Sequence, residues 1–198
     1  MLEIWLKIFS RSGIDEVLVN LHSHSDLVRA AILTHNGGVR MDLVDEPELL
    51  GSAGTIAANR EWVGNDSLFW VIYGDVLTNA DLEKMERSHY LTKPKATLGV
   101  YTVQDPQRCG IIYFDEELTI HEFVEKPTHP KSNWAFSGIM IADRSVLDMI
   151  PPKTPSDLGF DLLPRLAGEM KAYPIREYLL DIGTIENYNT AQNTWPGL

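Results

Sequence analysis

The sequence contains little cysteine and no long apolar run. Its 198 residues include one cysteine, Cys109, which excludes a disulfide within the chain. A lone thiol and the lack of a signal peptide at the start predict a cytoplasmic location. No apolar stretch approaches the roughly 20 residues that a membrane-spanning helix needs, so we expect no such helix.

The chain is also poor in basic residues. Seventeen Lys and Arg residues stand against 28 Asp and Glu residues, which gives a formal net charge of −11 at pH 7. Nucleic-acid backbones and anionic membrane surfaces attract clustered Lys and Arg, so we expect neither nucleic acid nor a membrane as a partner. Apolar residues make up 44% of the chain, enough for a substantial core, and no repeat or linker divides it. We therefore expect one soluble domain over residues 1–198.

Alternating apolar patterns dominate the remainder of the sequence. In the first half, short β-branched runs alternate with segments of helical periodicity, which favours parallel crossovers. This alternation predicts an α/β fold: a Rossmann-like, open, mostly parallel mixed sheet with helices on both faces. In the second half, strand-like runs follow one another with little helix between them, which favours antiparallel or hairpin elements. Predicted helices cover 2–9, 25–33, 55–63, 81–91, 144–150, 158–170 and 185–193, and predicted strands cover 16–21, 39–44, 68–73, 96–103, 110–114, 120–124, 134–141, 172–175 and 178–181.

Two aspartates follow predicted strands and precede turns. Asp75 lies in Tyr73-Gly-Asp-Val, and Asp181 lies in Leu179-Leu-Asp-Ile-Gly183. Ligands of open α/β sheets bind outside the carboxyl ends of the strands. Two carboxylates that converge there can hold Mg²⁺, which completes its coordination with water and substrate phosphates. The alternative is that each aspartate caps a turn or a helix.

A glycine-spaced loop, Leu50-Gly-Ser-Ala-Gly-Thr55, precedes a predicted helix. Small residues let a ligand approach the backbone, and free amides at a helix start suit an anion or the polar edge of a base. The loop contains neither G-x-G-x-x-G nor the lysine of a P-loop. The alternative is a plain connection in which Thr55 is the N-cap.

Three further groups could carry chemistry. Glu125 and Lys126 end a predicted strand just before a proline, where an exposed ion pair is the alternative to a binding site. His22 and His24 could chelate a metal from one side of an extended segment, although a solvated loop is the simpler interpretation. Cys109 is interpreted as a small apolar filler rather than a nucleophile, because no histidine partner is evident.

Taken together, seven segments resemble one enzyme family, and they occur in the family's order over nearly the whole chain. The sequence resembles the sugar-1-phosphate nucleotidyltransferases, which include mannose-1-phosphate guanylyltransferase and glucose-1-phosphate thymidylyltransferase. The segments are Met1-Leu-Glu-Ile, Leu50-Gly-Ser-Ala-Gly-Thr55, Gly74-Asp75, Cys109-Gly110, Val124-Glu-Lys-Pro127, Ser137-Gly138 and Asp181-Ile-Gly-Thr184.

The resemblance implies a reaction and a role for each segment. A nucleoside triphosphate and a sugar-1-phosphate would react to give a nucleotide sugar and pyrophosphate, with Mg²⁺ as the cofactor. Asp75 and Asp181 would carry the Mg²⁺, and together with Lys126 they would be the catalytic residues. The implied nucleotide-binding residues are Leu50, Gly51, Gly54, Thr55 and Gly74, and the implied sugar-phosphate-binding residues are Gly110, Glu125, Lys126 and Gly138. The resemblance does not distinguish GTP, UTP, CTP and dTTP, nor the sugar.

The sequence also departs from the family pattern. Members open with a first strand and a glycine-rich phosphate loop, of the form G-G-x-G-T-R-L followed by P-K-P, whereas Met1 aligns directly after that P-K-P. Ser137 stands where alanine is usual. We therefore expect an N-terminally truncated fold with impaired transferase activity, and a non-catalytic nucleotide- or sugar-phosphate-binding module is the alternative. A nicotinamide-dependent oxidoreductase lacks support because the dinucleotide fingerprint is absent.

The missing first strand leads to a structural expectation. In the family it lies between the strands predicted at 16–21 and 68–73, so its absence would leave two apolar edges. Three outcomes are open: direct pairing of these strands, exchange between subunits, or a start codon assigned too late. We expect the two strands not to become ordinary neighbours without a rearrangement of register. Such an exposed edge would favour a homo-oligomer.

Overall fold

The computed structural model describes residues 1–34 and 37–198, with no description of the Thr34 side chain. Within these ranges the chain forms helices and strands that alternate in the first half and give way to successive strands in the second. The helices are α1 (Leu2–Arg11), α2 (Ser25–Thr34), α3 (Ser52–Ala58), α4 (Arg60–Val63), α5 (Leu82–Thr92) and α6 (Ile185–Thr194). The strands are β1 (Glu16–Leu21), β2 (Arg40–Asp45), β3 (Leu68–Ile72), β4 (Val76–Thr78), β5 (Ala96–Thr102), β6 (Gly110–Phe114), β7 (Thr119–Glu125), β8 (Trp134–Asp143), β9 (Met170–Pro174) and β10 (Leu179–Asp181).

The central sheet has six strands in the order β3-β8-β5-β9-β7-β6. Only the β5–β9 pair in it is parallel; the β3–β8, β5–β8, β6–β7, β6–β8 and β7–β9 pairs are antiparallel. The predicted α/β class with a mixed sheet is confirmed, but the expected predominance of parallel pairs is wrong. Among the described strands of the first half, β1 and β2 form a parallel pair, whereas β3 pairs antiparallel with the distant β8.

Strand β8 lies at the centre of the core. Ile139, Met140, Ile141 and Ala142 are all fully buried, since successive side chains point to opposite covered faces of the sheet. Ile139 and Ile141 pack in the cluster that includes α1 and α5. Met140 and Ala142 pack in the cluster that includes α3 and the turns between 144 and 166. A helix-covered layer therefore lies on each face, as the sequence predicted.

Helix α1 buries apolar side chains that recur at spacings of three and four residues. Trp5, Ile8 and Phe9 are buried, and the Trp5 and Phe9 rings stack with centroids 5.4 Å apart. The indole N–H of Trp5 donates to the carbonyl oxygen of Val76 at 3.0 Å. This bond links α1 to the first residue of β4.

Strands β1 and β2 form a separate parallel pair, with Glu16 opposite Arg40 and Leu21 opposite Asp45. Among the described residues, no ladder joins β1 to β3, which pairs only with β8. The expectation that these two strands would not become ordinary neighbours is confirmed. Within the described ranges, no helix is long and apolar enough to cross a lipid bilayer.

The predicted helix over 158–170 is wrong in form. The segment contains one π-helical turn, Leu158–Leu162, and one 3-10 turn, Leu163–Leu166. Pro164 has no N–H to continue an α-helix, and Gly168 at φ +86° ends the segment before β9. The predicted helix over 144–150 is likewise a 3-10 segment, Arg144–Met149.

Candidate functional site

The structure brings the two strand-end aspartates together. Strand β10 pairs antiparallel with β4, which places Asp181 opposite Val76, and the Ile182 N–H donates to the carbonyl oxygen of Asp75 at 2.9 Å. A Cβ added to Gly183 would lie 3.0 Å from Asp181 Oδ1 and 3.2 Å from Asp75 Oδ2. Both carboxylates therefore face the same small space beside Gly183, although 106 positions separate them in the chain.

The charges of these aspartates are not compensated by a nearby ion pair in the part of the chain that the structure describes. Burial of its carboxyl raises the pKa of Asp75, and the negative charge of Asp181 raises it further. Two converging carboxylates with remaining solvent access fit a Mg²⁺ ion, which takes one or two protein carboxylates and fills its other positions with water and phosphate oxygens. Within the described ranges no third Asp, Glu, His or Cys completes a protein-only metal group.

The loop from Leu50 to Thr55 is more tightly hydrogen-bonded than the sequence suggested. Helix α3 begins at Ser52 with Gly51 as its N-cap, so Thr55 is not the cap. The N–H groups of Ala53 and Gly54 both donate to the carbonyl oxygen of Ser156 at 3.0 Å. The expectation that amides at this helix start are free for a ligand is therefore wrong for these two.

Gly51 is the one residue of this loop that must be glycine. Its φ is +79°, in the left-handed region, and a Cβ there would collide with the backbone of Ser156. Gly74, by contrast, has no atom within 4 Å of a Cβ position, so the backbone next to Asp75 borders open space. The loop and Gly74 thus leave different amounts of room for a bound molecule.

A buried glutamate that the sequence analysis missed holds both ends of this loop. Glu46, only 5% exposed, accepts from the Leu50 N–H at 3.0 Å and from the Thr55 hydroxyl at 2.6 Å. The Asn20 amide lies 3.4 Å from the same carboxylate. The available signal was the position of Glu46 two residues after the predicted strand 39–44, at the strand end where ligands of open α/β sheets bind.

Glu125 and Lys126 lie at the end of β7, and their two side chains have different environments. The Glu125 side chain is 17% exposed and that of Lys126 is 59% exposed, with 3.9 Å between carboxylate and ammonium. Burial raises the pKa of Glu125, while the charge of Lys126 opposes that rise. A Cβ on Gly110 would lie 2.7 Å from Glu125 Oε2. A cleft of about 420 Å³, also lined by His129, opens beside this pair.

Gly138 has a neighbour that the sequence analysis did not foresee. Its φ is +78°, and a Cβ there would lie 2.9 Å from Tyr73 Cβ, so a tyrosine side chain occupies the close approach. Burial raises the pKa of Tyr73 to about 12, and the charges of Asp157, Glu125 and Asp75 contribute. Tyr73 therefore lies among the acidic groups of the site. It was missed because it reads as the last residue of a buried strand.

The structure also gives the environments of His22 and Cys109. His22 Nδ1 lies 2.7 Å from the carbonyl oxygen of Glu46, and within the described ranges no group of three or more His, Cys, Asp or Glu side chains could hold a metal ion. Burial raises the pKa of the Cys109 thiol, and the charge of Glu125 adds to this, so the thiolate is disfavoured. The interpretation of Cys109 as a non-nucleophilic residue agrees with this environment.

Comparison with known sequences identifies the family. Residues 1–196 match the family model described as Nucleotidyl transferase, and the chain belongs to the sugar-1-phosphate nucleotidyltransferase family. Mannose-1-phosphate guanylyltransferase catalytic subunit beta of Xenopus tropicalis is 29% identical over 91% of this chain and 51% of its own length. Glucose-1-phosphate adenylyltransferase of Clostridioides difficile is 33% identical over 90% of this chain and 53% of its own. The chain spans about half the length of these curated relatives.

Solved structures share the fold. HddC from Yersinia pseudotuberculosis superimposes with a TM-score of 0.80 at 24% identity, covering 96% of this chain and 83% of that one. A glucose-1-phosphate thymidylyltransferase assigned in Bacillus anthracis superimposes with a TM-score of 0.83 at 22% identity, covering 96% and 80%. The α/β architecture with its mixed sheet is therefore that of known nucleotidyltransferases.

Proposed function

We propose that this chain transfers a nucleotidyl group from a nucleoside triphosphate to a sugar-1-phosphate. A phosphate oxygen of the sugar-1-phosphate would form a bond to the α-phosphorus as the bond to pyrophosphate breaks. The observation that carries the proposal is the meeting of Asp75 and Asp181 beside Gly183, in the same region as Glu125 and Tyr73. Such a reaction needs positioned substrates and compensated charge rather than a protein nucleophile.

In this proposal each group of candidate residues has its own role. Asp75 and Asp181 would hold Mg²⁺, which when bound supplies the positive charge that two phosphate-bearing substrates require. Leu50, Gly51, Gly54, Thr55 and Gly74 would line the nucleotide side. Glu125 would accept hydrogen bonds from sugar hydroxyls, and the exposed ammonium of Lys126 would pair with the sugar phosphate. Gly110 and Gly138 would shape this side indirectly, through their contacts with Glu125 and Tyr73.

Activity can be tested by pyrophosphate release. GTP, ATP, UTP, CTP and dTTP would each be offered with mannose 1-phosphate or glucose 1-phosphate in the presence of Mg²⁺. The names of the relatives favour GTP with the former and ATP with the latter. We expect Asp75→Asn and Asp181→Asn to lower the rate by at least about a hundredfold, and the exposed Asp66→Asn to leave it unchanged. Equal rates in all three variants would exclude the aspartates from the reaction.

Thermal stability tests the metal site without turnover. Because the pKa of Asp75 is raised, its ionised form opposes folding at neutral pH, so Asp75→Asn should raise Tm in metal-free buffer. Added Mg²⁺ should raise Tm of the unmodified chain and of Asp66→Asn, but not of Asp75→Asn. A Mg²⁺ effect that survives in Asp75→Asn would place the ion elsewhere.

A non-catalytic binding module is the second candidate. Its support is the scarcity of positive charge: among the residues that the structure describes, Lys126 pairs with Glu125, whereas Asp75, Asp181 and Asp157 form no ion pair, so little protein charge is available to stabilise a phosphoryl group in transfer. Tight binding of a nucleoside triphosphate with Mg²⁺, without release of pyrophosphate from any sugar phosphate offered, would favour this second function.

A further inference from the structure

The segment 156–159 contacts both halves of the candidate site, although the proposed function gives it no role. The Ser156 N–H donates to the carbonyl oxygen of Leu50 at 2.8 Å, and its own carbonyl accepts from Ala53 and Gly54 at 3.0 Å. Ser156 is 1% exposed and packs directly against Gly51. The segment is therefore bonded to both ends of the loop proposed to contact the nucleobase.

The Ser52 hydroxyl is the centre of this connection. It donates to Asp157 Oδ2 at 2.9 Å and accepts from the Leu158 N–H at 2.8 Å. One hydroxyl offers one donor and two acceptor positions; the bond to Asp157 uses the donor and the bond from Leu158 uses one acceptor.

The other end of the segment contacts the sugar-phosphate side. Asp157 Oδ1 accepts from the N–H groups of Gly159 and Phe160 at 2.8 and 3.1 Å, which fixes the backbone there. A Cβ on Gly159 would collide with the Glu125 carboxylate, so backbone and carboxylate are in direct contact. A continuous series of contacts thus runs from the loop through Ser52, Asp157 and Gly159 to Glu125.

We propose that Ser52, Asp157 and Gly159 are positioning residues that fix the nucleobase loop relative to Glu125 and so couple the binding of the two substrates. The identity of the two ligands rests on the proposed function; the contacts do not. Because binding free energies are linked, each ligand would raise the affinity for the other by the same factor. Removal of the Ser52 hydroxyl would leave both binding surfaces present but their separation less defined.

Hydrogen exchange of the ligand-free chain tests whether the segment 156–159 fixes the nucleobase loop. In Ser52→Ala we expect the amides of Ala53 and Gly54 to exchange about tenfold faster, the effect of one lost hydrogen bond. Ser52→Thr keeps the hydroxyl and should exchange as the unmodified chain does, as should Ser10→Ala on the exposed side of α1. Asp157→Asn, which weakens the same contact from the other side, should repeat the result. Unchanged exchange in both Ser52→Ala and Asp157→Asn would overturn the proposal.

Calorimetry with defined probes tests the coupling. The probes are α,β-methylene GTP, which cannot release pyrophosphate, with Mg²⁺, and mannose 1-phosphate. We expect mannose 1-phosphate to raise the affinity for the nucleotide about fivefold or more, and this factor to fall towards one in Ser52→Ala and in Gly159→Ala. Ser52→Thr should restore it, which a general loss of stability would not explain. A factor that stays unchanged in both variants contradicts the coupling.

The two proposals fail in different ways. If the unmodified chain binds neither probe, the proposed function is wrong, and the exchange result alone decides whether the loop and the segment 156–159 act as one unit. If it binds both probes with no mutual effect, the proposed function stands and the coupling is wrong.

Discussion

The six-stranded sheet and the β1–β2 pair differ in how completely their strands are buried. Leu98 on β5 and the middle of β8 are fully buried between two layers. In β1 and β2 most residues are only half-buried, and the neighbouring α2 exposes Leu27 and Leu33 by 70% and 86%. Glu125 and Gly138 lie on the well-packed sheet and Asp75 lies three positions after β3, whereas Asp181 ends β10 in the separate β4–β10 pair. The well-packed sheet thus positions most of the site, and the loop after β2 joins it through the segment 156–159.

The largest expected effect is the loss of stability caused by a cavity, which can be compared between the two regions. Leu98→Ala removes fully buried atoms at the centre of the main sheet and should lower the free energy of unfolding by about 2–5 kcal/mol. Val19→Ala, in the half-buried β1, should lower it by about 1 kcal/mol or less. Urea denaturation measures both. A loss in Val19→Ala as large as that in Leu98→Ala would show that the two regions are equally packed.

Hydrogen exchange of the unmodified chain gives a second comparison. Two-stranded sheets have little stability of their own, whereas fully buried core strands such as β5 and β8 are expected to open only on global unfolding. We expect amides in β1 and β2 to exchange about a hundredfold faster than those of β8, a difference near 3 kcal/mol in opening free energy. Equal protection across the two regions would mean that they unfold as one unit.

A smaller expected effect is a loss of stability at low pH that originates in the well-packed region. His89 on α5 is 3% exposed and lies 2.9 Å from the Thr97 hydroxyl, and burial lowers its pKa below 6.5 although Asp143 opposes this. As pH falls through 6.5, the unfolded chain takes up a proton more readily than the folded one, so stability decreases. Denaturation at pH 7.5 and 5.5 should show this loss. It should be reduced in His89→Gln and retained in the exposed His129→Gln; the same pH dependence in all three would exclude His89 as the cause.

The smallest expected effect concerns the surface charges of the β1–β2 region. Arg29 on α2 pairs with Asp45 at 2.5 Å, with side chains 34% and 62% exposed. Exposed pairs contribute about 0.2–1 kcal/mol and are screened by salt. Arg29→Gln should therefore lower the free energy of unfolding by no more than this amount at low salt, and should leave it unchanged in 1 M NaCl. Thermal unfolding at two salt concentrations measures it. A cost that persists at high salt would indicate packing by the arginine stem rather than its charge.

The sequence predicted those features that depend on local pattern. The apolar face of α1 and the position of Asp75 and Asp181 at strand ends could be read directly, because each needs only neighbouring residues. The segment 158–170 reads as a regular helix from its local pattern, but Pro164 and Gly168 interrupt it in the structure.

Contacts between segments that are distant in the chain could not be predicted from the sequence. The pairing of Ser156 with the Leu50 loop joins residues about a hundred positions apart, and the approach of Tyr73 to Gly138 depends on the register of β3 against β8. No local pattern encodes either contact. The same holds for the predominance of antiparallel pairs, which depends on the order of strands in the sheet rather than on their individual sequences.

The hydrogen bond from Trp5 to Val76 has a practical consequence. Its acceptor belongs to the residue directly after Asp75, and Trp5 itself is only 3% exposed. A change at the aspartate turn would alter the electric field that this ring experiences. Because Trp5 is one of five tryptophans, a shift in fluorescence on ligand binding would report on this turn only if it were lost in Trp5→Phe.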